Sequence, residues 1–445
     1  MRDAEAADGP LSDAELDDLF APFADARLIA LAVSGGADSL ALMVAAARWR
    51  ERRGGRPEVV VLTVDHRLRR GSRREALDVV AAAQARGLVA RILVRGGPPP
   101  AANIEAEARS ARYRLLLEAA RASGASHLLT AHHRDDLAEA LVLRLQRGAG
   151  VFGLAAMRSA IDVGGIILAR PFLGVARVRL AATTTAAGLL PVVDAMNSDP
   201  RFARARVRSL MPLLAREGLD AAHLAATARR LADASEAVDA AASALIAAAV
   251  AIDDFAVARL DAERFRAAPS AVRGRVAVRL LMAMGGANYP PRHERLAALT
   301  EAMAAGAVGR FKRTLAGCVV ERRDGRFVFY REFGRDGPHV AALKPGATIL
   351  WDHRFKISAG RSVPAGLSVA ALGEEGRREV GAGRGLAPPG ALAALPTVWR
   401  RGRPIAVPAL GYFASSANGL DVTMCPILAQ RLAQSPLFPD FSTGL

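Results

Sequence analysis

The sequence predicts an α/β protein: an N-terminal domain on a parallel sheet, a helical middle domain and a small α+β C-terminal domain. Three observations predict it. Over residues 1–215, short apolar runs alternate with segments of helical period. The stretch LAVSGGADSLAL (31–42) wedges adjacent glycines between the first run and the helix after it. Past residue 216 the text turns to alanine-rich helices and then to short strands.

The elements follow in order. RLIALAV (27–33), EVVVLTV (58–64) and LVARILV (88–94) are nearly continuous apolar runs, as expected of strands covered on both faces. SLALMVAAARWRERR (39–53) and SRREALDVVAAAQARG (72–87) separate them with helical period, the second with glycine at its exit. A long helix is predicted over 103–124, a fourth strand at HLLTA (127–131), a helix from near Asp135 to Arg147, and a fifth strand within IILARPFL (166–173). Strands separated by such helices pair in parallel through right-handed crossovers. Ligands in such sheets bind beyond the carboxyl ends of the strands. That rule singles out Ser34–Ser39, Asp65–Arg74, the loop at 95–103 and His132–Asp136. Further on, residues 221–260 read as helical, 274–286 as another helix, and GCVVERRDGRFVFYRE (317–332) as a hairpin turning at its central RRDG. The expected domains are an extension at 1–24, the parallel-sheet domain at 25–215, the helical domain at 216–335 and the last domain at 336–445.

Composition agrees with a globular chain: 445 residues, 51% hydrophobic and 23% charged. No apolar run reaches the length of a bilayer span; AASALIAAAVAI (241–252) comes nearest. The acidic N-terminus lacks the apolar stretch of a secretion signal. Cys318 and Cys425 are the only cysteines, which excludes a disulfide framework and fits a reducing, cytoplasmic setting. The net charge of +16 points toward a polyanion, although it is nearly all arginine, the lysines being Lys312, Lys344 and Lys356.

In the turn itself, Gly35 and Gly36 permit backbone angles and close approaches closed to larger residues. Their amides, with those opening the next helix, form a pocket for an anion, and Ser34 and Ser39 add hydroxyl donors. Asp38 would repel phosphate unless it holds Mg²⁺ that bridges to the phosphates. The plainer reading, a tight turn whose Asp38 or Ser39 caps the helix, does not need the whole Ser-Gly-Gly-x-Asp-Ser set. The turn is neither a GxxxxGK[ST] nor a GxGxxG loop.

These residues resemble the signature of the N-type ATP pyrophosphatases, the PP-loop ATPases, whose first strand is followed by SGGxDS. Within them the chain is similar to the tRNA(Ile)-lysidine synthases, on VDHRLRRGSRREA, NIEAEARSARY, LLTAHHRDDLAEALVLRLQRGAGVFGLAAM, RPFL and DAMNSDPRFARARVRSLMPLL. The resemblance covers about residues 27–215. It implies ATP bound over Ser34, Gly35, Gly36, Ala37, Asp38 and Ser39 with Asp65 alongside. It implies Mg²⁺ on Asp38 and Asp136, and catalytic roles for Asp38, His133, Asp136, Arg112 and Arg208. The implied reaction adenylates the C2 oxygen of the wobble cytidine of a tRNA(Ile) with a CAU anticodon. Free L-lysine then displaces AMP, and ATP leaves as AMP and pyrophosphate.

Other blocks carry readings of their own. RLRRGSRR places five arginines at 67–74, where cationic charge at a helix start opposes the dipole and suits phosphate. Asn103, Glu105, Arg109, Arg112 and Tyr113 lie along one helix, with Glu105–Arg109 and Arg109–Tyr113 sharing faces. AHHRDDLAE gathers His132, His133, Asp135, Asp136 and Glu139. Zinc is the minority reading there, since neither HExxH nor cysteines accompany it; paired carboxylates beside phosphate suit Mg²⁺. An acidic patch could take the lysine ammonium, and His133 could help remove its proton. Arg147 and Gly148 are candidates for RNA contact. Arg201, Arg204 and Arg208 form a basic stripe behind Asp194, Asn197 and Asp199; Ala195 and Met196 depart from the commoner Pro-Ser wording.

Three rival functions stand beside this one. A thiolating relative would need cysteines, and none precedes Cys318. A synthetase of the GMP or NAD type does not call for arginine stripes or a long C-terminal half. A tRNA-binding relative without catalysis has no need of intact SGGADS and HHRDD blocks. No membrane association and no stable protein partner are expected.

Overall fold

The computed structural model describes residues 8–65, 67, 71–96, 104–155 (104–108 as backbone only), 157–192, 201–287, 290–305, 311–335, 337–382, 385, 387–417 and 419–433. Two compact units divide the chain, the first running to Ser235 and the second beginning at Glu236.

The first unit opens with α1 (Asp13–Phe20), then β1 (Leu28–Ala32), α2 (Ala37–Arg52), β2 (Glu58–Asp65), α3 (Ser72–Gln84) and β3 (Val89–Val94). It continues with α4 (Ile104–Ser123), β4 (His127–Leu129), α5 (Arg134–Leu145), the short α6 (Val151–Leu154), β5 (Ala160–Asp162) and β6 (Ile167–Ala169). Helices α7 (Arg177–Ala186), α8 (Ala203–Arg216) and α9 (Ala221–Ala249) follow, the last crossing the unit boundary. The strand order is β3-β2-β1-β4-β6-β5, parallel throughout except for β5, which runs antiparallel to β6 at the edge.

Period-two alternation explains how both faces are buried. Ile29, Leu31, Val59 and Val61 point into one core with Phe20, Leu42, Trp49 and Leu180. Ala30, Val60 and Leu62 point into the other with Tyr113, Leu116, Leu117 and Leu128. The unpredicted α1 is pinned by the first core. Ser12 and Glu15 form a capping box. Phe20 stacks on Trp49 at 5.2 Å and meets Phe172 edge-on at 6.3 Å. Chain order reverses between β1 and β4, which makes the crevice at their carboxyl ends the topological switch point. Ser34 follows β1 there and His133 follows β4.

The second unit contains β7 (Val250–Ile252) and β8 (Ala258–Asp261), where the sequence alone suggested continued helix. The Asp253 carboxylate accepts the N–H groups of Phe255 and Val257, both at 3.0 Å, and turns the chain back into a strand pair. After α10 (Ala262–Ala267), α11 (Ser270–Gly285) and α12 (His293–Ala304) come β9 (Lys312–Leu315), β10 (Cys318–Arg323) and β11 (Arg326–Arg331). The expected hairpin is β10–β11, turning on Asp324 and Gly325 with φ of 47° and 72°. A second five-stranded sheet and a three-stranded one complete this unit around Leu280, Phe329, Trp351 and Val398. Buried ion pairs of Asp239 with Arg275 and of Asp352 with Arg354 lie within it, and the half-buried Arg331 also pairs with Asp352. No helix among the described residues is long and apolar enough to cross a membrane.

Candidate active site

The turn after β1 is held by its own hydroxyls. Ser34 N–H donates to Ser39 Oγ at 3.1 Å, and Ser39 Oγ donates to Gly36 O at 2.9 Å. The Ser34 and Ser39 hydroxyls lie 3.2 Å apart. Gly35 has φ of 87°, a left-handed conformation that favours glycine. Gly36 caps α2 without a side chain. Behind the turn, Thr184 Oγ1 donates to Ala37 O at 2.8 Å, and Val192 N–H donates to Gly35 O at 2.9 Å.

His133 is the hub across the crevice. It is the N-cap of α5: its Nδ1 accepts the Asp136 N–H at 3.3 Å, and Asp136 Oδ2 accepts the His133 N–H at 3.3 Å. With Nδ1 accepting, the neutral ring carries its proton on Nε2, which lies 3.5 Å from Asp38 Oδ2 and 3.4 Å from Asp136 Oδ2, within ion-pair range but without a hydrogen bond among the described residues. Burial opposes protonation of His133, but the carboxylates of Asp136, Asp38 and Asp135 outweigh it and raise its pKa. Burial likewise opposes ionisation of Asp136, yet His133 and Arg204 hold its carboxyl well below the usual range. His132 beside it is driven well below its ordinary pKa, first by burial and then by Arg170, so it is neutral. Its Nδ1 meets Thr130 Oγ1 at 2.9 Å.

The expected basic stripe turns inward at two of its members. Arg208 Nε donates to Glu139 Oε1 at 2.7 Å and Arg204 Nε to Glu139 Oε2 at 3.2 Å, so α8 is clasped onto α5. Arg204 also lies 3.4 Å, and Arg208 3.7 Å, from Asp136 Oδ1. Burial lowers the Arg112 pKa, and the charges of Arg109 and Arg204 add to that. Arg109 and Arg112 lie over the Tyr113 ring at 5.3 and 5.6 Å.

Asp65 is buried at the end of β2. Its Oδ1 accepts the Ser72 hydroxyl at 2.6 Å and the Arg67 N–H at 3.1 Å, which ties together the two ends of the following loop. The Ser72 bond holds its pKa down against burial. Arg147 and Gly148 are exposed just past α5. His66, Asn103, Asp194, Ala195, Met196, Asn197 and Asp199 lie outside the described residues, as does the side chain of Glu105.

Metal fit can be judged from the oxygens. Asp38 Oδ1 is buried and has no hydrogen-bond partner among the described residues. An uncommitted carboxylate oxygen at a phosphate cradle suits Mg²⁺, which takes one or two carboxylates and completes its shell from phosphates and water. Among the described residues no three His, Cys, Asp or Glu side chains are gathered as a ready-made metal cage.

Sequence reasoning passed over Arg177, whose Nε lies 3.9 Å from Asp38 Oδ1 and whose N–H donates to Asp135 Oδ2 at 3.0 Å. Its position at the start of a helix after RPFL was the signal available; the contact to Asp38 depends on packing across the crevice.

A PP-loop domain family model matches residues 10–214. The tRNA(Ile)-lysidine synthase of Rhodopseudomonas palustris is 42% identical over 334 residues, 72% of this chain and 94% of the relative. That of Ruegeria pomeroyi is 36% identical over 394 residues, 88% of this chain and 90% of the relative. That of Bradyrhizobium sp. BTAi1 is 52% identical over 230 residues, 52% of this chain and 64% of the relative. With the glycine turn after β1 and the histidine–carboxylate hub after β4 on opposite sides of one switch point, the chain belongs to the tRNA(Ile)-lysidine synthase family.

Proposed function

We propose that this chain ligates free L-lysine to C2 of the wobble cytidine of tRNA(Ile) with a CAU anticodon, consuming ATP. The observation that carries this reading is that Asp38 and Asp136, from different crossovers, share one imidazole at the switch point of a PP-loop sheet. ATP lies with its phosphates over the amides of Ser34–Ser39, and Asp65 fixes the neighbouring loop. Asp38 and Asp136 would hold Mg²⁺, which supplies charge neutralisation on the phosphates.

The cytidine C2 oxygen attacks the α-phosphate, and the bond to the pyrophosphate oxygen breaks. The lysine ε-amine, after losing a proton, then attacks C2 and AMP departs. The protein's share is positioning and charge stabilisation. Arg112 and Arg208 place positive charge beside the transferring group. His133 acts through the two carboxylates it orients, because its Nδ1 is tied to the backbone. An anticodon loop offers its base at small unstacking cost. Residues 216–335 and 336–445 supply further tRNA contacts, and the cytoplasm, where tRNA, lysine and ATP coexist, is the site of action.

The test incubates purified protein with labelled lysine and unmodified tRNA(Ile) transcript, with and without ATP. Label should enter RNA only with ATP. Label entering without ATP, or none entering with it, would refute the reading.

A further inference from the structure

Asp38 is approached by the starts of three helices. It lies in the first turn of α2, His133 caps α5, and Arg177 is the first residue of α7. Each start carries partial positive charge, and side chains from two of them, His133 and Arg177, reach the Asp38 carboxylate. Arg177 completes this arrangement in an unusual way. Its guanidinium is 3.9 Å from Asp38 Oδ1, too far for a hydrogen bond, and its side chain is 51% exposed. The head is half exposed, while the helix beneath it is tied down. Two residues on, Arg179 is bound by Glu15 and by the carbonyl oxygens of Gly9 and Pro10. Thr183 Oγ1 accepts the Leu11 N–H at 2.9 Å, and Thr184 Oγ1 donates to Ala37 O at the turn itself. An anchored base with a half-exposed cationic head at the turn leaves guanidinium donors available to an arriving anion. The turn also has no lysine of its own, since the chain's lysines stand at 312, 344 and 356.

We propose that Arg177 binds the β- and γ-phosphates of ATP and stays with them as pyrophosphate leaves. As the bond from the α-phosphorus breaks, the electron pair passes to the pyrophosphate oxygen, and the guanidinium meets that charge. Planar guanidinium donors match phosphate oxygens two at a time. The inference rests on the nucleotide reading above and deepens it by assigning the leaving group's partner.

The test titrates ATP, pyrophosphate and AMP into the full chain by calorimetry without tRNA, for wild type, R177A, R177Q and R177K. Losing one charge-assisted contact should weaken ATP and pyrophosphate by about tenfold or more. AMP, lacking the outer phosphates, should bind R177A as it binds wild type, and R177K should recover most of the loss. R177Q keeps hydrogen bonding without charge and should fall with R177A; it decides the matter if R177A does not fold. Equal ATP affinity in wild type and R177Q, or an equal loss for AMP, overturns the inference alone. A wild type that binds no ATP overturns the nucleotide reading as well.

Discussion

His133 Nε2 lies 3.5 Å from Asp38 Oδ2, so the cap of one helix touches the carboxylate that opens another. The cap and the bridge are separable jobs. H133A removes both and should cost about 1 kcal/mol of stability from the cap. H133N keeps an acceptor suited to the cap but cannot hold both carboxylates. Its melting temperature should return toward wild type while ATP-dependent lysine incorporation stays low. Recovery of activity in H133N would refute the bridging role.

The adjacent glycines should respond differently to a methyl group. Gly35 has φ of 87°, so G35A strains the backbone and should lower thermal stability. Gly36 has φ of −72°, and a Cβ there would find only Ser34 Oγ, 3.8 Å away. The protein's own packing does not require glycine at 36. G36A should therefore fold normally, by melting temperature, yet lose ATP affinity, because the space is needed by what approaches from outside. Unchanged ATP binding in G36A would contradict that.

Glu139 is buried and shared by Arg204 and Arg208, and removing it leaves both guanidiniums to Asp136 Oδ1, 3.4 and 3.7 Å away. E139A should destabilise the chain by about 1–3 kcal/mol, since the two guanidiniums, 21% and 24% exposed, keep one carboxylate and some access to water. Chemical denaturation reads this directly. A loss under 1 kcal/mol would show that the clasp relaxes into water.

Acid should loosen the contact between Glu15 and Arg179. The Arg179 bond draws the Glu15 pKa from 4.5 to about 2. A depressed carboxylate pKa contributes stability that is full above the unfolded value and lost as pH falls through the folded one. Wild type should thus lose melting temperature between pH 4.5 and pH 2 more steeply than E15Q. His133 works with the opposite sign: its raised pKa contributes below 6.5 and is lost as pH rises through the folded value. Parallel acid profiles for wild type and E15Q would exclude a role for this pair.

The parallel sheet was legible because buried strands write themselves as apolar runs; β1, β3, β4 and β6 lie within the segments predicted, and β2 runs one residue past its own, to Asp65. The antiparallel β5 was not, since AID (160–162) is too short to show a period. Helix α1 left a readable mark, Ser12 three residues before Glu15, hidden by the acidic composition around it. The turn chemistry at Gly35 was legible in the same way. What the sequence could not show was long-range partnership. Arg204 and Arg208 are four apart, which places them on one face, but nothing local says whether that face meets water or Glu139. Asp65 poses the same difficulty: its place on the ligand edge was clear, whereas its bonds to Ser72 and Arg67 depend on how the loop folds back.

The inward turn of Arg204 and Arg208 has a bearing on how an RNA would be gripped. A guanidinium already neutralised by a carboxylate releases few counterions when a phosphate comes near. The count of arginines on this helix thus overstates the field it projects, and the ionic-strength dependence of RNA affinity should be set mainly by other cationic side chains.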